Sequence, residues 1–336
     1  MTCFNPLVVY SVPNDETGKN KVVFYPPPTT SPYSILKPFN IDCGQCIGCK
    51  LSKAREWAIR CTHEAKMHKA SSFLTLTFNN AGLVGRQNNY KESEKKEIHS
   101  LNVKDFQLFM KRLRKKIKKT HHITELSYYH CGEYGEENGR PHYHVLLFGY
   151  GFPDRYRWYK GKTRDKDLYR SEILEEVWPH GNSLIGNVTY ESASYVSRYV
   201  TKKITGDQTD DHYQGQTPEY ATMSRGAKNA IGYRWLRKYG LTDCYNNDRV
   251  TVLSDNGNFH IKPPRYYMEQ LKNEKSDMYN LELYDKIKAK RREETPDPVL
   301  YRFPDDRLSV KEKLQHIKLQ KTIRNNIWHI IYIMKQ

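Results

Sequence analysis

Two histidines separated by one residue give the chain its clearest chemical signal. His142 and His144 begin the apolar run 142–148, which Pro141 and Gly149 bound, and this pattern predicts a buried strand. Side chains alternate along a strand, so both imidazoles point to one face while Tyr143 points to the other. Two imidazoles on a rigid strand can bind a metal ion. Taken alone, the pair fits two histidines at an exposed strand edge better.

A second reactive group lies on a helix that the pattern predicts from 192 to 203. Tyr195, Tyr199 and Lys202 are spaced i, i+4 and i+7, so two phenols and an ammonium share one helix face. A phenol is a weak nucleophile at neutral pH because its pKa is about 10. A neighbouring cation such as Lys202 favours the phenolate. The simpler interpretation of the tyrosine pair is packing.

A cysteine cluster near the N-terminus has the spacing of metal ligands. Cys43, Cys46 and Cys49 follow one another at intervals of three residues, and Cys3 can complete a four-sulfur zinc site. An iron–sulfur run would place a cysteine at position 53, where the chain has Lys53. Structural zinc is therefore the favoured interpretation, and free thiols near a helix start are the alternative.

The composition indicates a polyanionic partner. Lys and Arg number 55 against 38 Asp and Glu, for a net charge of +17, and tyrosine is abundant at 26 residues. Cations interleaved with aromatic rings suit a single-stranded nucleic acid, whose phosphates and bases they contact. A membrane surface is less favoured, since no apolar run approaches the roughly 20 residues needed to span a bilayer. With no secretory signal pattern, the cysteines point to a reducing compartment.

The elements that must position these residues form an α+β pattern. The residue patterns predict strands over 71–78, 126–134, 142–148 and 184–190 and helices over 47–68, from Asn102 through Ile117, over 168–177, 192–203, 265–292 and 309–334. Strand 126–134 and the histidine strand form a hairpin. We expect a central, mainly antiparallel sheet flanked by helices. The helix after Asn102 carries a basic face that favours phosphate contact: Lys111, Arg112, Lys115, Lys116 and Lys119.

Three regions are expected along the chain. Residues 1–70 combine an irregular, Pro-rich start with the cysteine cluster and a helix, 71–205 hold the histidines and tyrosines, and 206–336 form a basic, partly helical C-terminal region. The segment 86–100 reads as a surface loop. Gly161-Lys162-Thr163 lacks the preceding glycine and strand of a phosphate-binding loop, so no motor is predicted.

The order of these motifs resembles the HUH endonucleases. A hydrophobic strand (73–78), His-hydrophobic-His (142–144) and Tyr-x3-Tyr-x2-Lys (195–202) follow one another as that family's three motifs do. The sequence around these motifs is similar to that of the replication initiators of microviruses, most closely the gokushovirus type. It comprises Cys131-Gly-Glu-Tyr-Gly135, Gly139-Arg-Pro-His-Tyr-His144, Ala193-Ser-Tyr-Val-Ser-Arg-Tyr-Val-Thr-Lys-Lys203, Met1-Thr-Cys3, Cys43-x2-Cys46-x2-Cys49-Lys50, Tyr220-x2-Met223-Ser-Arg225 and Pro263-Pro-Arg-Tyr266.

The resemblance implies an RRM-like palm and a single-stranded-DNA nickase and ligase that starts and ends rolling-circle replication of a small phage genome in the cytoplasm of its bacterial host. Mg²⁺ or Mn²⁺ at His142 and His144 would polarise the scissile phosphate. Tyr195 and Tyr199 would alternate in forming a 5′-phosphotyrosine link. Host helicase, DNA polymerase and single-strand binding protein are implied as partners.

The third metal ligand and the function class stay open at this point. Glu133, on the preceding hairpin strand, is the candidate, although the family implies only that Glu, Gln or His fills this place, and a surface carboxylate near a turn is the alternative. A plasmid relaxase or tyrosine transposase would use the same chemistry. The competing class is a non-catalytic, zinc-bearing nucleic-acid-binding protein, in which the histidines and tyrosines pack and stack.

Overall fold

A computed structural model describes residues 3–14, 19–26, 38–91, 93, 97–135, 138–202, 209–224, 230–254, 257–273, 278–293 and 308–320. The chain divides into two compact units, Met1–Lys53 with Asp285–Gln336, and Ala54–Tyr284. Within the described residues, none of the helices has the length and apolar character that a membrane crossing requires.

The first unit holds a small antiparallel sheet in a segment that the sequence predicts to be irregular. Its strands are β1 (Leu7–Asn14), β2 (Lys19–Val23) and β3 (Phe39–Ile41), in the order β2-β1-β3. Helix α1 (Ile47–Lys66) begins in this unit and confirms the predicted helix. The expectation of irregular structure is wrong for these strands, because the backbone groups of a proline-rich segment can still pair when β1 lies between two neighbours.

The second unit is built on a seven-stranded sheet. Its order is β10-β5-β6-β4-β9-β8-β7, and every neighbouring pair is antiparallel. The predicted α+β class, with an antiparallel sheet flanked by helices, is therefore confirmed. The strands are β4 (Ser71–Phe78), β5 (Ser127–Tyr134), β6 (Pro141–Phe148), β7 (Tyr156–Tyr159), β8 (Leu168–Arg170), β9 (Gly181–Gly186) and β10 (Tyr220–Met223).

Helices and a hairpin complete the described chain. The helices of the second unit are α2 (Asn80–Gly85), α3 (Val103–His121), α4 (Glu172–Val177), α5 (Tyr190–Lys202), α6 (Thr209–Tyr213), α7 (Tyr233–Tyr239) and α8 (Arg265–Asn273), and its hairpin pairs β11 (Val250–Val252) with β12 (Phe259–Ile261). Further along, α9 (Met278–Glu293) and a helix over 308–320 follow. The pattern 265–292 is thus two helices, and the part of 309–334 beyond residue 320 lies outside the described residues.

Two sequence predictions place their elements wrongly. Residues 168–177 are not one helix: β8 comes first, and α4 begins only after Ser171, whose hydroxyl accepts a hydrogen bond from the Leu174 N–H at 3.1 Å. The strand expected over 184–190 is β9 at 181–186, and α5 already begins at Tyr190. In both cases pairing within the sheet selects the strand residues, and apolar periodicity alone does not.

The two faces of the large sheet carry different helices. On the first, which we call the tyrosine face, Ala58 and Cys61 of α1 and Ala193, Val196 and Tyr199 of α5 pack against strand residues Tyr129, Cys131, Leu146 and Phe148. On the opposite face, α3 and α4 pack their apolar residues against Leu74, Leu76, Tyr143, Val145 and Leu147. Because side chains alternate, one histidine strand supplies residues to both cores.

A buried ion pair anchors α3 and corrects the expectation of a surface loop over 86–100 at the position of Arg86. Arg86 is only 1% exposed, and its guanidinium donates a 2.6 Å hydrogen bond to the carboxylate of Asp105. The same carboxylate accepts a 2.6 Å hydrogen bond from the hydroxyl of Tyr143. A buried charge requires partners of this kind, so Arg86 belongs to the core on the α3 side. The described residues 88, 89, 91, 93 and 97–99 are exposed, as expected of a surface segment.

Candidate active site

Three side chains on neighbouring strands converge on the tyrosine face. Glu133 of β5 lies directly opposite His142 of β6, and Glu133 Oε1 lies 2.6 Å from His142 Nε2 and 3.1 Å from His144 Nε2. The hairpin register and the alternation of side chains produce this arrangement. The ligand atoms of all three residues lie within 4.8 Å of one another, so they form a group that can hold a metal ion.

The outer ring nitrogens of both histidines are held by further hydrogen bonds. His142 Nδ1 lies 3.2 Å from the carbonyl oxygen of Arg140, which can only accept, so an N–H at Nδ1 donates to it. His144 Nδ1 lies 3.1 Å from the hydroxyl of Thr75, the residue opposite it on β4. Such partners orient metal-binding imidazoles in proteins. The Nε2 atoms of both rings face Glu133 Oε1, so they are the nitrogen atoms available to a shared cation.

The electrostatics of Glu133 favour its ionised form. Burial by itself would raise the pKa of this carboxyl, because the side chain is only 4% exposed. The neighbouring charge of His142 and the hydrogen bonds from His142 and His144 outweigh burial and hold the pKa well below its usual range. An anionic oxygen and two imidazole nitrogens form a donor set that accepts divalent ions such as Mg²⁺, Mn²⁺ or Zn²⁺.

Both tyrosines of α5 contact the same histidine. The ring centroid of His144 lies 5.1 Å from that of Tyr195 and 5.5 Å from that of Tyr199. The two tyrosine rings are 5.1 Å apart and their hydroxyls are hydrogen-bonded to each other. Burial, followed by the charge of Glu133, raises the pKa of both phenols well above the ordinary value. The tertiary structure thus joins two motifs that lie 51 residues apart in the chain.

An arginine that the sequence analysis did not single out lies beside the phenols. Arg198 is half-buried on α5, its Nε donates a 3.2 Å hydrogen bond to the carbonyl oxygen of Ser194, and its charge interacts with Tyr195 and Tyr199. The sequence spacing could have indicated this arginine, because Arg198 follows Tyr195 by three residues and residues three apart are neighbours on a helix. Lys202, the predicted cation, is the last residue of α5, and its side chain lies outside the described residues.

The four cysteines form a second group of possible ligands, in the first unit. Cys3 precedes β1 and Cys43 follows β3, and the antiparallel pairing of Leu7 with Ile41 brings these two ends together. Cys43 Sγ lies 3.9 Å from Cys49 Sγ, and Cys46 Sγ lies 3.8 Å from Cys3 Sγ. All four sulfur atoms lie within 4.8 Å of one another.

Backbone N–H groups point at the sulfur atoms of this cluster. The N–H of Phe4 donates to Cys46 Sγ, that of Cys43 to Cys3 Sγ and that of Cys46 to Cys43 Sγ, each at 3.3 Å. Burial works to raise the pKa of Cys46, but hydrogen bonds led by the one from Phe4 lower it to about 7. Donors of this kind favour thiolates, the form that binds metals.

Comparison with known proteins identifies the family of the chain. The family model for replication-associated proteins of the ORF2 type matches residues 71–204, which contain every residue of the Glu-His-His group and both tyrosines. Replication-associated protein VP4 of Bdellovibrio phage phiMH2K is 34% identical over 261 residues, covering 77% of this chain and 75% of its own. Replication-associated protein ORF2 of Spiroplasma virus 4 is 30% identical over 305 residues, covering 87% and 86%. No solved structure matches the chain. The chain therefore belongs to the family of replication-associated proteins of microviruses.

Proposed function

We propose that this protein nicks and rejoins single-stranded DNA through a 5′-phosphotyrosine intermediate and so starts and ends rolling-circle replication of a phage genome. One observation carries the proposal: two tyrosines on one helix both contact a histidine of a three-ligand group on the sheet. The fold supports it, since an antiparallel sheet with helices on both faces is what an HUH palm requires. Family membership supports a role in replication.

Each residue of the site has a role in this chemistry. Glu133, His142 and His144 would hold Mg²⁺ or Mn²⁺, which supplies charge to polarise the scissile phosphate when it is bound. Thr75 and the carbonyl of Arg140 orient the two imidazoles. Arg198 stabilises negative charge at the phenol oxygens and the phosphate, and Lys202 is proposed to assist from the end of α5.

The reaction conserves the energy of the phosphodiester bond. The hydroxyl oxygen of Tyr195 or Tyr199 attacks phosphorus, the bond from phosphorus to the 3′ oxygen breaks, and that oxygen takes up a proton in place of the one the phenol loses. The products are a 5′-phosphotyrosine and a free 3′-hydroxyl. Reversal rejoins the strand, and the second tyrosine can cut while the first still holds a DNA end.

The same proposal assigns roles to the regions of the chain, a place of action and partner proteins. Residues 71–205 would be the HUH nuclease domain, 1–70 an accessory segment and 206–336 a basic region that contacts DNA. The protein would act in the cytoplasm of the bacterial host. Helicase, polymerase and single-strand binding protein would come from the host, since the sequence shows no phosphate-binding loop of a motor.

A covalent adduct tests the proposal directly. Labelled single-stranded fragments that together span the viral strand are incubated with the protein and Mn²⁺ and run on a denaturing gel. We expect a protein–DNA adduct from one fragment, its loss in the Tyr195→Phe/Tyr199→Phe double variant, and its persistence in the matched surface variant Tyr156→Phe. If no fragment gives an adduct with any divalent ion, while the protein still binds DNA, the chain is a non-catalytic binder.

We also propose that the four cysteines hold a structural zinc ion. Tetrahedral zinc with Zn–S bonds of about 2.3 Å places its sulfur atoms about 3.8 Å apart, and the two measured sulfur distances are 3.8 and 3.9 Å. A disulfide would need about 2.05 Å. Four protein ligands close the coordination sphere, as in structural zinc sites.

Metal analysis tests the zinc proposal. The purified protein should contain one tightly bound zinc ion per chain, and Co²⁺ grown in its place should show the intense visible bands of a tetrahedral thiolate site. Cys46→Ser should lose the metal, whereas Cys244→Ala, which removes a buried cysteine outside the cluster, should keep it. Full metal content in Cys46→Ser would rule the site out.

A further inference from the structure

Helix α3 presents a strongly basic outer surface. Its basic residues are Lys104, Lys111, Arg112, Arg114, Lys115, Lys116, Lys118 and Lys119, whereas Asp105 is its acidic residue. Asp105 is buried and ion-paired with Arg86, so its charge does not neutralise the outer surface. The exposed members are Lys111, Arg114, Lys115, Lys118 and Lys119, and we call this group the α3 basic surface.

Two of the less exposed cations of α3 are bound by residues of a neighbouring helix. Lys116 pairs with Glu176, and Arg112 Nε donates a 2.9 Å hydrogen bond to the carbonyl oxygen of Val177, so these two cations are directed toward the end of α4. The α3 basic surface lies on the opposite side of the helix from the buried stripe that includes Phe109 and Leu113.

Repulsion between the cations of the α3 basic surface destabilises the helix. Lys111 and Lys115, and Lys115 and Lys119, are pairs of like charges at i, i+4, which destabilise an isolated helix. The helix dipole compensates near the C-terminus, where Lys118 and Lys119 lie, but its effect fades within one turn and does not reach Lys111. A polyanion bound along the helix would relieve the repulsion over its whole length.

The α3 basic surface lies across the sheet from the tyrosines. Tyr199 packs in the core of the tyrosine face, and Phe106 and Leu113 of α3 pack in the core of the opposite face. With a spacing of roughly 10 Å between packed layers, the outer side of α3 and the phenols are on the order of 20 Å apart. The few nucleotides at the reaction centre therefore do not cover α3.

The residue types on α3 favour duplex over single-stranded DNA. Single-strand grooves interleave cations with aromatic rings on which bases stack. Both aromatic residues of α3, Phe106 and Phe109, are buried in the core, so its outer surface offers charge without a stacking platform. The backbone of a duplex presents only phosphates and sugars to such a surface.

We propose that the α3 basic surface binds the phosphate backbone of duplex DNA beside the nick site, while the single strand to be cut lies across the sheet at the tyrosines. The inference rests on the proposed nicking function for the identity of that strand. Lys111 to Lys119 span about 12 Å of helix, enough to follow about three phosphates of one strand.

Charge neutralisation tests the inference. The variant Lys111→Gln/Lys115→Gln/Lys118→Gln/Lys119→Gln is compared with the wild type for binding a 20-bp duplex and a 20-nucleotide single strand at several salt concentrations. We expect duplex affinity to fall on the order of 100-fold, with a salt dependence shallower by about 0.9 for each lost phosphate contact. Adduct formation on a short single strand should stay within about twofold.

A matched variant controls for the loss of four charges. Lys69→Gln/Lys160→Gln/Lys162→Gln/Lys166→Gln removes four exposed lysines of the same unit, and duplex affinity should fall less than fivefold. Unchanged duplex binding in the α3 variant, an equal loss in the control, or an equal loss for single strand and duplex would each overturn the inference. Tyr195→Phe/Tyr199→Phe should bind the duplex normally, so the duplex result stands even if no adduct forms.

Discussion

The Glu133–His142–His144 group and the four-cysteine group bring their ligand atoms equally close, within 4.8 Å, yet they are built for different tasks. The first combines a carboxylate with two imidazoles and contacts two phenols. The second consists of four soft sulfur atoms that accept hydrogen bonds from backbone N–H groups. Proximity of ligand atoms makes metal binding possible, and the donor types and neighbours of each group favour different roles.

The two groups also differ in what supports them. Strands β4, β5 and β6 hold the Glu-His-His group inside a seven-stranded sheet with an apolar core on each face. The cysteines join the ends of a three-stranded sheet in which β1 buries one residue, Val9, completely. Loss of metal should therefore affect activity at the first group and folding of the first unit at the second.

The largest effect is expected at the metal ligand His142. Because this ring is 15% exposed, His142→Ala should keep the fold while it removes a ligand, and adduct formation should fall at least about 1,000-fold. Single-turnover assays on a gel give the rate, and the melting temperature reports the fold. The exposed His260→Ala is the matched control. An adduct rate within tenfold of wild type would remove His142 from the reaction.

A smaller loss is expected at Arg198, which is not a ligand. Arg198→Gln should slow adduct formation on the order of 100-fold, because the positive charge beside the two phenols is lost, and Arg198→Lys should restore part of the rate. The exposed Arg155→Gln serves as control. Equal rates for Arg198→Gln and wild type would leave Lys202 as the candidate cation of α5.

The partner of His144 should have a milder effect. Thr75→Val keeps the shape of the side chain but removes the hydroxyl that lies 3.1 Å from Nδ1. We expect the Mn²⁺ concentration for half-maximal rate to rise about tenfold, with little change in the rate at saturation. A lower saturating rate with an unchanged metal requirement would contradict an orienting role.

The smallest effect on nicking is expected from the cysteine group. Cys46→Ser should leave the initial adduct rate within about fivefold of wild type, whereas limited proteolysis should cut residues 1–53 rapidly, because structural zinc contributes several kcal/mol to folding. A 1,000-fold loss of adduct, comparable to that of His142→Ala, would show that the two groups do not have separate roles.

Long elements with a clear apolar period could be predicted from the sequence. The strand over 71–78 agrees residue for residue with β4, and the stripe from Phe106 to Ile117 is the buried face of α3. Short elements could not be predicted: Leu168–Arg170 and Tyr220–Met223 are strands because a neighbouring strand pairs with them. The sequence placed Arg86 in a predicted surface loop. Its burial is explained only by its ion-pair partner Asp105, which lies 19 residues away.

The local geometry of the site follows from residue spacing alone. The i, i+2 spacing puts His142 and His144 on one face of a strand, and the i, i+4 spacing puts Tyr195 and Tyr199 on one face of a helix, because both follow from backbone repeats. Residue spacing does not predict that the phenols meet His144, that Arg198 lies beside them, or that the lysines of α3 lie across the sheet. Those relations arise in the folded chain, because they depend on strand register and on which face each helix covers, and contacts distant in sequence set both.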